Sequence, residues 1–97
     1  MAIQLKEHEI AVIKRILAHD LAGVEYRIFG SRAKGSAKPY SDVDIVLLSK
    51  NPIPLLTLST LEENFSESDL PFKVDLVDWQ RITPEFQDKI KSEWKEL

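Results

Sequence analysis

The chain has 97 residues, of which 43% are hydrophobic and 30% charged, values typical of one small globular domain. Sixteen acidic against thirteen basic residues give a net charge of −3, which disfavours a broad nucleic-acid-binding surface. Because the chain has no cysteine, disulfides, thiolate zinc sites and cysteine nucleophiles are excluded, and a reducing, cytoplasmic location is expected. The sequence contains neither a membrane-spanning run nor a secretory signal pattern, and residues 1–97 are expected to form a single domain.

The first predicted elements are a helix followed by two strands. Apolar residues at helical spacing predict a helix from about Lys6 to Leu21. The alternation of apolar and polar residues in VEYRIF (24–29) predicts a half-buried strand. Residues 30–41 are polar and contain glycine and proline, so they predict a loop with room for one helical turn. The apolar, β-branched run VDIVLL (43–48) then predicts a buried strand.

The second half of the chain predicts a helix, a strand and a final helix. Prolines at 52 and 54 break the chain before a helix from Leu55 to about Phe65. The segment FKVDLVDW (72–79) predicts a third strand, and Thr83-Pro84 is a typical helix start. Helices and strands in this order predict an α/β layer structure with a small sheet.

Two aspartates at the start of the second strand are the first candidate site residues. Alternation along a strand directs Asp42 and Asp44 to one face, while Val43 and Ile45 point to the core. Two adjacent carboxylates repel each other unless a cation lies between them. Magnesium prefers such oxygen ligands and shares its coordination shell with phosphates, so this pair predicts a metal–phosphate site.

The loop before the aspartates contains residues suited to binding phosphate. Gly30 allows a phosphate to approach the backbone, and the hydroxyls of Ser31 and Ser41 can donate to its oxygens. Arg32 and Lys34 are candidates for neutralising phosphate charge.

A third carboxylate, Asp75, would join the aspartate pair if the third strand lies beside the second. It is preferred over Asp78, which alternates to the opposite face. Three carboxylates next to a phosphate-binding turn suggest two-metal phosphoryl transfer.

The stretch GSRAKGSAKPYSDVDIVLL (30–48) resembles the signature of the nucleotidyltransferase superfamily related to DNA polymerase beta. In that signature a Gly-Ser pair precedes Asp-x-Asp at the start of an apolar strand. The short chain and the later KVDLVDW (73–79) are similar to the minimal nucleotidyltransferases (MNT), many of which pair with a HEPN-domain partner as toxin–antitoxin systems. The resemblance implies a nucleotidyltransferase-like fold, a small mixed sheet of about three strands flanked by helices.

The family pattern also implies roles for individual residues. Gly30 and Ser31 would hold the nucleotide phosphates, Asp42 and Asp44 would bind magnesium, and Asp75 would be a third metal ligand or the base. The implied reaction is transfer of a nucleoside monophosphate, from ATP and with two Mg²⁺ ions, to a hydroxyl on a HEPN partner.

Two other functions fit the same resemblance. An antitoxin could neutralise its partner by complex formation alone, without catalysis. A small-molecule nucleotidyltransferase of the antibiotic-modifying type could work with a separate helical subunit. Exposed apolar surface from the terminal helix or the 55–65 segment would suit a partner interface. Trp79 and Trp94 are interpreted most simply as packing residues, although an exposed tryptophan would also suit such an interface.

Overall fold

The computed structural model describes residues 3–97 and confirms the predicted fold of helices around a small mixed sheet. Within those residues, no helix has both the length and the apolar character to cross a membrane. A short 3-10 helix, Trp79–Arg81, follows the last strand. The remaining elements are the helices α1 (Glu7–Asp20), α2 (Ser31–Lys34), α3 (Leu55–Ser66) and α4 (Pro84–Glu93), and the strands β1 (Glu25–Phe29), β2 (Val43–Leu48) and β3 (Val74–Asp78).

The sheet has the order β1-β2-β3, with β2 at its centre. β1 runs antiparallel to β2, whereas β3 runs parallel to it, and α3 is part of the crossover between the two parallel strands. The register aligns Asp44 with Phe29 on one side and with Asp75 on the other.

The third strand is shorter than the predicted 72–79. It ends at Asp78, because the carboxylate of Asp78 accepts the Gln80 N–H at 3.0 Å and caps the 3-10 helix that follows. Trp79 therefore belongs to the 3-10 helix.

The two faces of the sheet are covered differently. The larger apolar core lies on one face, where α1 and α3 pack on the odd-numbered residues of β2; it includes Ile13, Leu17, Val43, Ile45, Leu47, Leu61 and Phe65. A smaller cluster on the other face consists of Phe29, Val46 and Ile90, with Trp79 and Trp94 packed against it. Asp44 alternates with Val43 and Ile45, so it projects from the face that carries the smaller cluster.

Candidate active site

Three predicted carboxylates lie together at the start of the parallel strands. Asp44 and Asp75 are register partners on β2 and β3, which places them side by side on one face of the sheet. Asp42 is exposed just before β2, and Asp44 itself is half-buried. The alternation that predicted this placement also sends Val43 and Ile45 into the main core.

Asp44 carries the strongest electrostatic perturbation at this site. Burial raises its pKa to about 6, and the negative charges of Asp75, Asp42 and Glu93 act in the same direction. Desolvation and like charges both disfavour an ionised carboxyl group. The fold therefore accumulates negative charge here, and within residues 3–97 no basic side chain forms an ion pair with Asp44, which is the electrostatic environment that attracts a cation.

Glu93 is a fourth carboxylate, which the sequence did not single out. It is the last residue of α4, and its side chain is only 12% exposed. One of its oxygens accepts the backbone N–H of Gly30 at 3.0 Å, and the other lies 3.6 Å from the Lys34 ammonium. Since Glu93 and Gly30 are 63 positions apart, no local pattern could have indicated this contact.

Gly30 is required at its position for two reasons. Its φ of 76° lies in the region that favours glycine, and a Cβ placed there would collide with the carboxylate of Asp44. Its carbonyl accepts the N–H groups of Ala33 and Lys34, which begins the single turn of α2. The glycine therefore allows the carboxylate of Asp44 to lie directly against the turn.

Arg32 does not have the position predicted for a phosphate ligand. It is only 6% exposed, and its guanidinium donates to the carbonyl oxygens of Gln4, Pro39 and Ser41 at 2.8–3.1 Å. The same group stacks on Phe72, 4.4 Å from the ring centre. Arg32 thus holds the 30–41 loop together from inside, an arrangement that its place in a polar loop did not reveal.

The other predicted loop residues occupy different positions. Ser31 is half-buried and follows Gly30 directly at the start of α2, and Lys34 is exposed with its ammonium at Glu93. The hydroxyl of Ser41 instead accepts the Lys38 N–H at 2.8 Å, so it takes part in the turn that precedes the aspartates.

Lys73 is a second residue that the sequence did not single out. Its ammonium lies 3.2 Å from Asp75, and a hydrogen bond and the charge of Asp75, together with the charge of Asp42, raise the pKa of Lys73. Strand alternation had placed Lys73 on the same face as Asp75, so the sequence pattern could have indicated that the two side chains are neighbours. An exposed cation therefore lies at the edge of the carboxylate group.

A cleft of about 740 Å³ opens beside Asp75, between α3 and β3. Its polar lining includes Glu62 and Glu63 from α3, together with Lys73 and Asp75. The cleft and the carboxylate group share Asp75, so a molecule in the cleft would reach the site.

Asp78 has a structural environment, in line with the preference for Asp75. It is buried, and its carboxylate accepts the Ile53 N–H at 2.8 Å as well as the capping N–H of Gln80. Arg81 completes its shell at 3.2 Å.

No group of three or more histidine, cysteine, aspartate or glutamate side chains within residues 3–97 is already arranged to hold a metal ion. The carboxylates nevertheless form a set of hard oxygen donors on neighbouring elements, beside a turn that approaches Asp44 closely. This donor chemistry fits magnesium.

Comparison with known proteins identifies the class. The family model "Polymerase beta, Nucleotidyltransferase" matches residues 5–97, which include the whole site. The chain therefore belongs to the polymerase beta nucleotidyltransferase family, which confirms the resemblance predicted from its Gly-Ser and Asp-x-Asp motifs.

Individual relatives show which members of this family the chain is similar to. The chain is 42% identical over 89 residues to a Haemophilus influenzae protein named "Probable protein adenylyltransferase MntA", with 92% of this chain and 78% of that protein covered. A toxin–antitoxin structure of an MntA-HpeT mutant has a TM-score of 0.74 at 25% identity, covering 97% of this chain and 72% of that one. A toxin–antitoxin structure with AMP-PNP has a TM-score of 0.75 at 23% identity, covering 88% and 68%.

Proposed function

We propose that this chain transfers AMP from ATP to a hydroxyl group on a partner protein and thereby acts as an antitoxin. The single observation that carries the proposal is the half-buried carboxylate of Asp44 inside a group of carboxylates, where burial and then the neighbouring negative charges raise its pKa to about 6. The name of the MntA relative and the AMP-PNP in a structural neighbour support adenylyl transfer from ATP. The proposed active unit is a single domain, residues 1–97, acting in the cytoplasm.

In the proposed reaction, Asp42, Asp44 and Asp75 would hold two magnesium ions. Such ions would supply charge neutralisation for the triphosphate and a lower pKa for the acceptor hydroxyl. Asp75 accepts the proton of that hydroxyl from its position on the edge strand.

The turn and two lysines bind the nucleotide in this proposal. Gly30 and Ser31 lie against the triphosphate in this proposal, because the absence of a Cβ at Gly30 brings the turn directly against the carboxylate of Asp44. Lys34 and Lys73 are exposed and already lie next to carboxylates of the site, so each is able to exchange that partner for a phosphate oxygen.

The proposed partner is a HEPN-domain toxin, with a tyrosine as the acceptor. The MntA-HpeT toxin–antitoxin structures among the structural neighbours support such a partner. The chain also exposes a large apolar pair at the start of α3, Leu55 at 66% and Leu56 at 79%, which suits a protein contact.

Label transfer tests the proposal. Purified protein, Mg²⁺ and ATP labelled at the α-phosphate are incubated with host lysate, with Asp44→Asn in parallel. Asp88→Asn is the matched control, because it removes an exposed carboxylate of α4 that is not among the charges acting on Asp44. A labelled protein band is expected with wild type and Asp88→Asn and not with Asp44→Asn. Equal labelling by Asp44→Asn would show that the carboxylate group does not carry the activity.

A second candidate function, neutralisation by binding alone, is favoured by the exposed Leu55–Leu56 pair. Under this alternative, the double variant Asp42→Asn/Asp44→Asn still protects cells that express the partner, whereas Leu55→Ser/Leu56→Ser does not. Adenylyl transfer predicts the reverse for the aspartate variant, with loss of protection.

A further inference from the structure

We propose that the acceptor is an extended, basic peptide segment that pairs with the open edge of β3, a conclusion that rests on the proposed adenylyl transfer. β3 is the outermost strand of the sheet, and within residues 3–97 no strand pairs with its outer edge. An unpaired edge strand is a template for another extended chain.

The register shows which backbone groups are free at that edge. The N–H of Val43 donates to the carbonyl of Lys73 at 2.9 Å, so Lys73 directs its backbone toward β2. In a parallel ladder the bonding residues of a strand alternate. Asp75 therefore also faces β2 with its backbone, whereas Val74 and Leu76 present their N–H and C=O groups outward.

The cleft along this edge has room for the segment. Val74, Asp75 and Leu76 line the cleft of about 740 Å³ that separates β3 from the flank of α3. The cleft is therefore continuous with the free backbone groups, and a peptide bound there would be an added strand at the edge of the sheet.

Charge selects the kind of segment. The cleft is lined by three carboxylates, from Glu62, Glu63 and Asp75, and by one ammonium, from Lys73. The ammonium pairs with Asp75 and is also influenced by the charge of Glu62. Three carboxylates against one ammonium still leave the cleft with a net negative charge, which lies at the two exposed glutamates of α3. A segment with lysine or arginine side chains complements them, and an acidic segment is repelled.

The alternation of side chains gives this segment a defined pattern. Asp75 projects from one face of the sheet, and α3 covers the other. In an added strand, a tyrosine next to Asp75 would place its hydroxyl on the Asp75 face, and the residues immediately before and after it would point to Glu62 and Glu63. The preferred acceptor is therefore Lys-Tyr-Lys, rather than a tyrosine with lysines two positions away.

The transfer step on this segment balances. The tyrosine oxygen forms a bond to the α-phosphorus of ATP, the bond from that phosphorus to the bridging α–β oxygen breaks, and pyrophosphate leaves. The hydroxyl proton passes to Asp75. The products are the AMP-tyrosine ester and pyrophosphate.

Two synthetic peptides of equal composition test the pattern. Both have one tyrosine in a threonine- and valine-rich strand sequence, with lysines at the adjacent positions in the first peptide and two positions away in the second. With ATP labelled at the α-phosphate and Mg²⁺, the first peptide is expected to be labelled about tenfold faster, the effect of two favourable cross-strand pairs. Equal rates for the two peptides would overturn the proposal.

Charge-reversal variants test the surface itself. Glu62→Lys/Glu63→Lys is expected to remove the preference for the first peptide, and both positions are exposed, so the fold is retained. Glu67→Lys/Asp88→Lys makes the same change in net charge at exposed positions outside the cleft and is expected to keep the preference. Preference retained in the first variant or lost in the second contradicts docking at this edge.

A binding measurement separates this inference from the proposed function. The first peptide is made in two forms, each N-methylated at one of the two alternate sets of backbone nitrogens. Fluorescence anisotropy measures the binding of each form to the protein, and binding is expected to be lost for one form only. Equal binding by both methylated peptides excludes strand pairing. Lack of any labelling, in peptides and lysate alike, contradicts the proposed adenylyl transfer, and the anisotropy result still decides the docking.

Discussion

Two aspartates of the same strand, Asp75 and Asp78, have opposite surroundings. Asp78 is buried, but backbone N–H groups and Arg81 satisfy its carboxylate. Asp75 lies half-exposed beside Asp44, whose pKa is raised to about 6 by burial and by the surrounding carboxylates. The difference teaches that a carboxylate with satisfied partners supports the fold, while a group of carboxylates that repel one another needs a partner from outside.

The largest expected effect is a loss of activity when the carboxylate group that contains Asp75 and Asp44 is changed. Asp44→Asn is expected to lower AMP transfer by more than about 100-fold, because even groups that only support a metal ligand cost 10–100-fold when removed. Transfer to the lysate acceptor measures this, and a circular dichroism spectrum like that of wild type shows that the fold is kept. A variant within about tenfold of wild type would remove Asp44 from the proposed metal site.

The next effect concerns stability at the Asp78 end. Asp78→Ala leaves the buried N–H of Ile53 without its acceptor and removes the cap of the 3-10 helix. The free energy of unfolding is expected to fall by about 2 kcal/mol. Urea unfolding measures it, with the exposed Asp88→Ala as the control that should change little. No loss of stability in Asp78→Ala would break the distinction between the two aspartates.

A smaller effect is the pH dependence of stability at Asp44. Because its pKa is raised in the folded state, from an ordinary 3.8 to about 6, the folded protein binds the proton more tightly than the unfolded chain. The contribution of Asp44 to stability is therefore lost as pH rises from about 4 to 6, and this loss is complete above that range.

Asp44→Asn removes this penalty. Without Mg²⁺, its melting temperature is expected to exceed that of wild type by a few degrees at pH 7.5, and the difference is expected to vanish near pH 4. Thermal melts at the two pH values measure it. A variant that is less stable than wild type at pH 7.5 would contradict the proposed repulsion.

The smallest expected effect belongs to Glu93. Glu93→Gln keeps an oxygen to accept the Gly30 N–H but removes one of the charges that raise the pKa of Asp44. The pKa of Asp44 is expected to decrease because one negative charge is removed. The decrease is small, since burial and two other carboxylates still raise that pKa. Carboxyl NMR titration of wild type and variant detects the change, and an increase in the pKa would show that Glu93 acts otherwise.

Local patterns were sufficient for most of the fold and for the carboxylate face. The alternation of apolar and polar residues in VDIVLL and KVDLVDW placed Asp44 and Asp75 on the strands, and the parallel pairing then brought the two strands together. Gly30 was singled out as a place where a phosphate could approach the backbone and as part of the Gly-Ser motif, and the structure adds that its φ is positive.

Tertiary contacts account for what the sequence did not reveal. Glu93 reaches the turn only because α4 packs back on the sheet, 63 positions from Gly30. Arg32 is a basic residue in a polar loop by sequence, and only the folded loop provides the carbonyl groups that bury its guanidinium. Contacts between residues that are distant along the chain produce no periodic pattern in the sequence.

The central claim is that the carboxylate of Asp44 lies in a group of negative charges suited to a metal. The titration of Asp44 with and without Mg²⁺ tests this claim most directly. In wild type without metal, NMR titration of the Asp44 carboxyl carbon is expected to give a pKa of about 6. Addition of Mg²⁺ and a non-hydrolysable ATP analogue is expected to move that pKa below the ordinary 3.8, because a bound cation favours the ionised form. A pKa near 3.8 that does not respond to Mg²⁺ and nucleotide would contradict the proposed site.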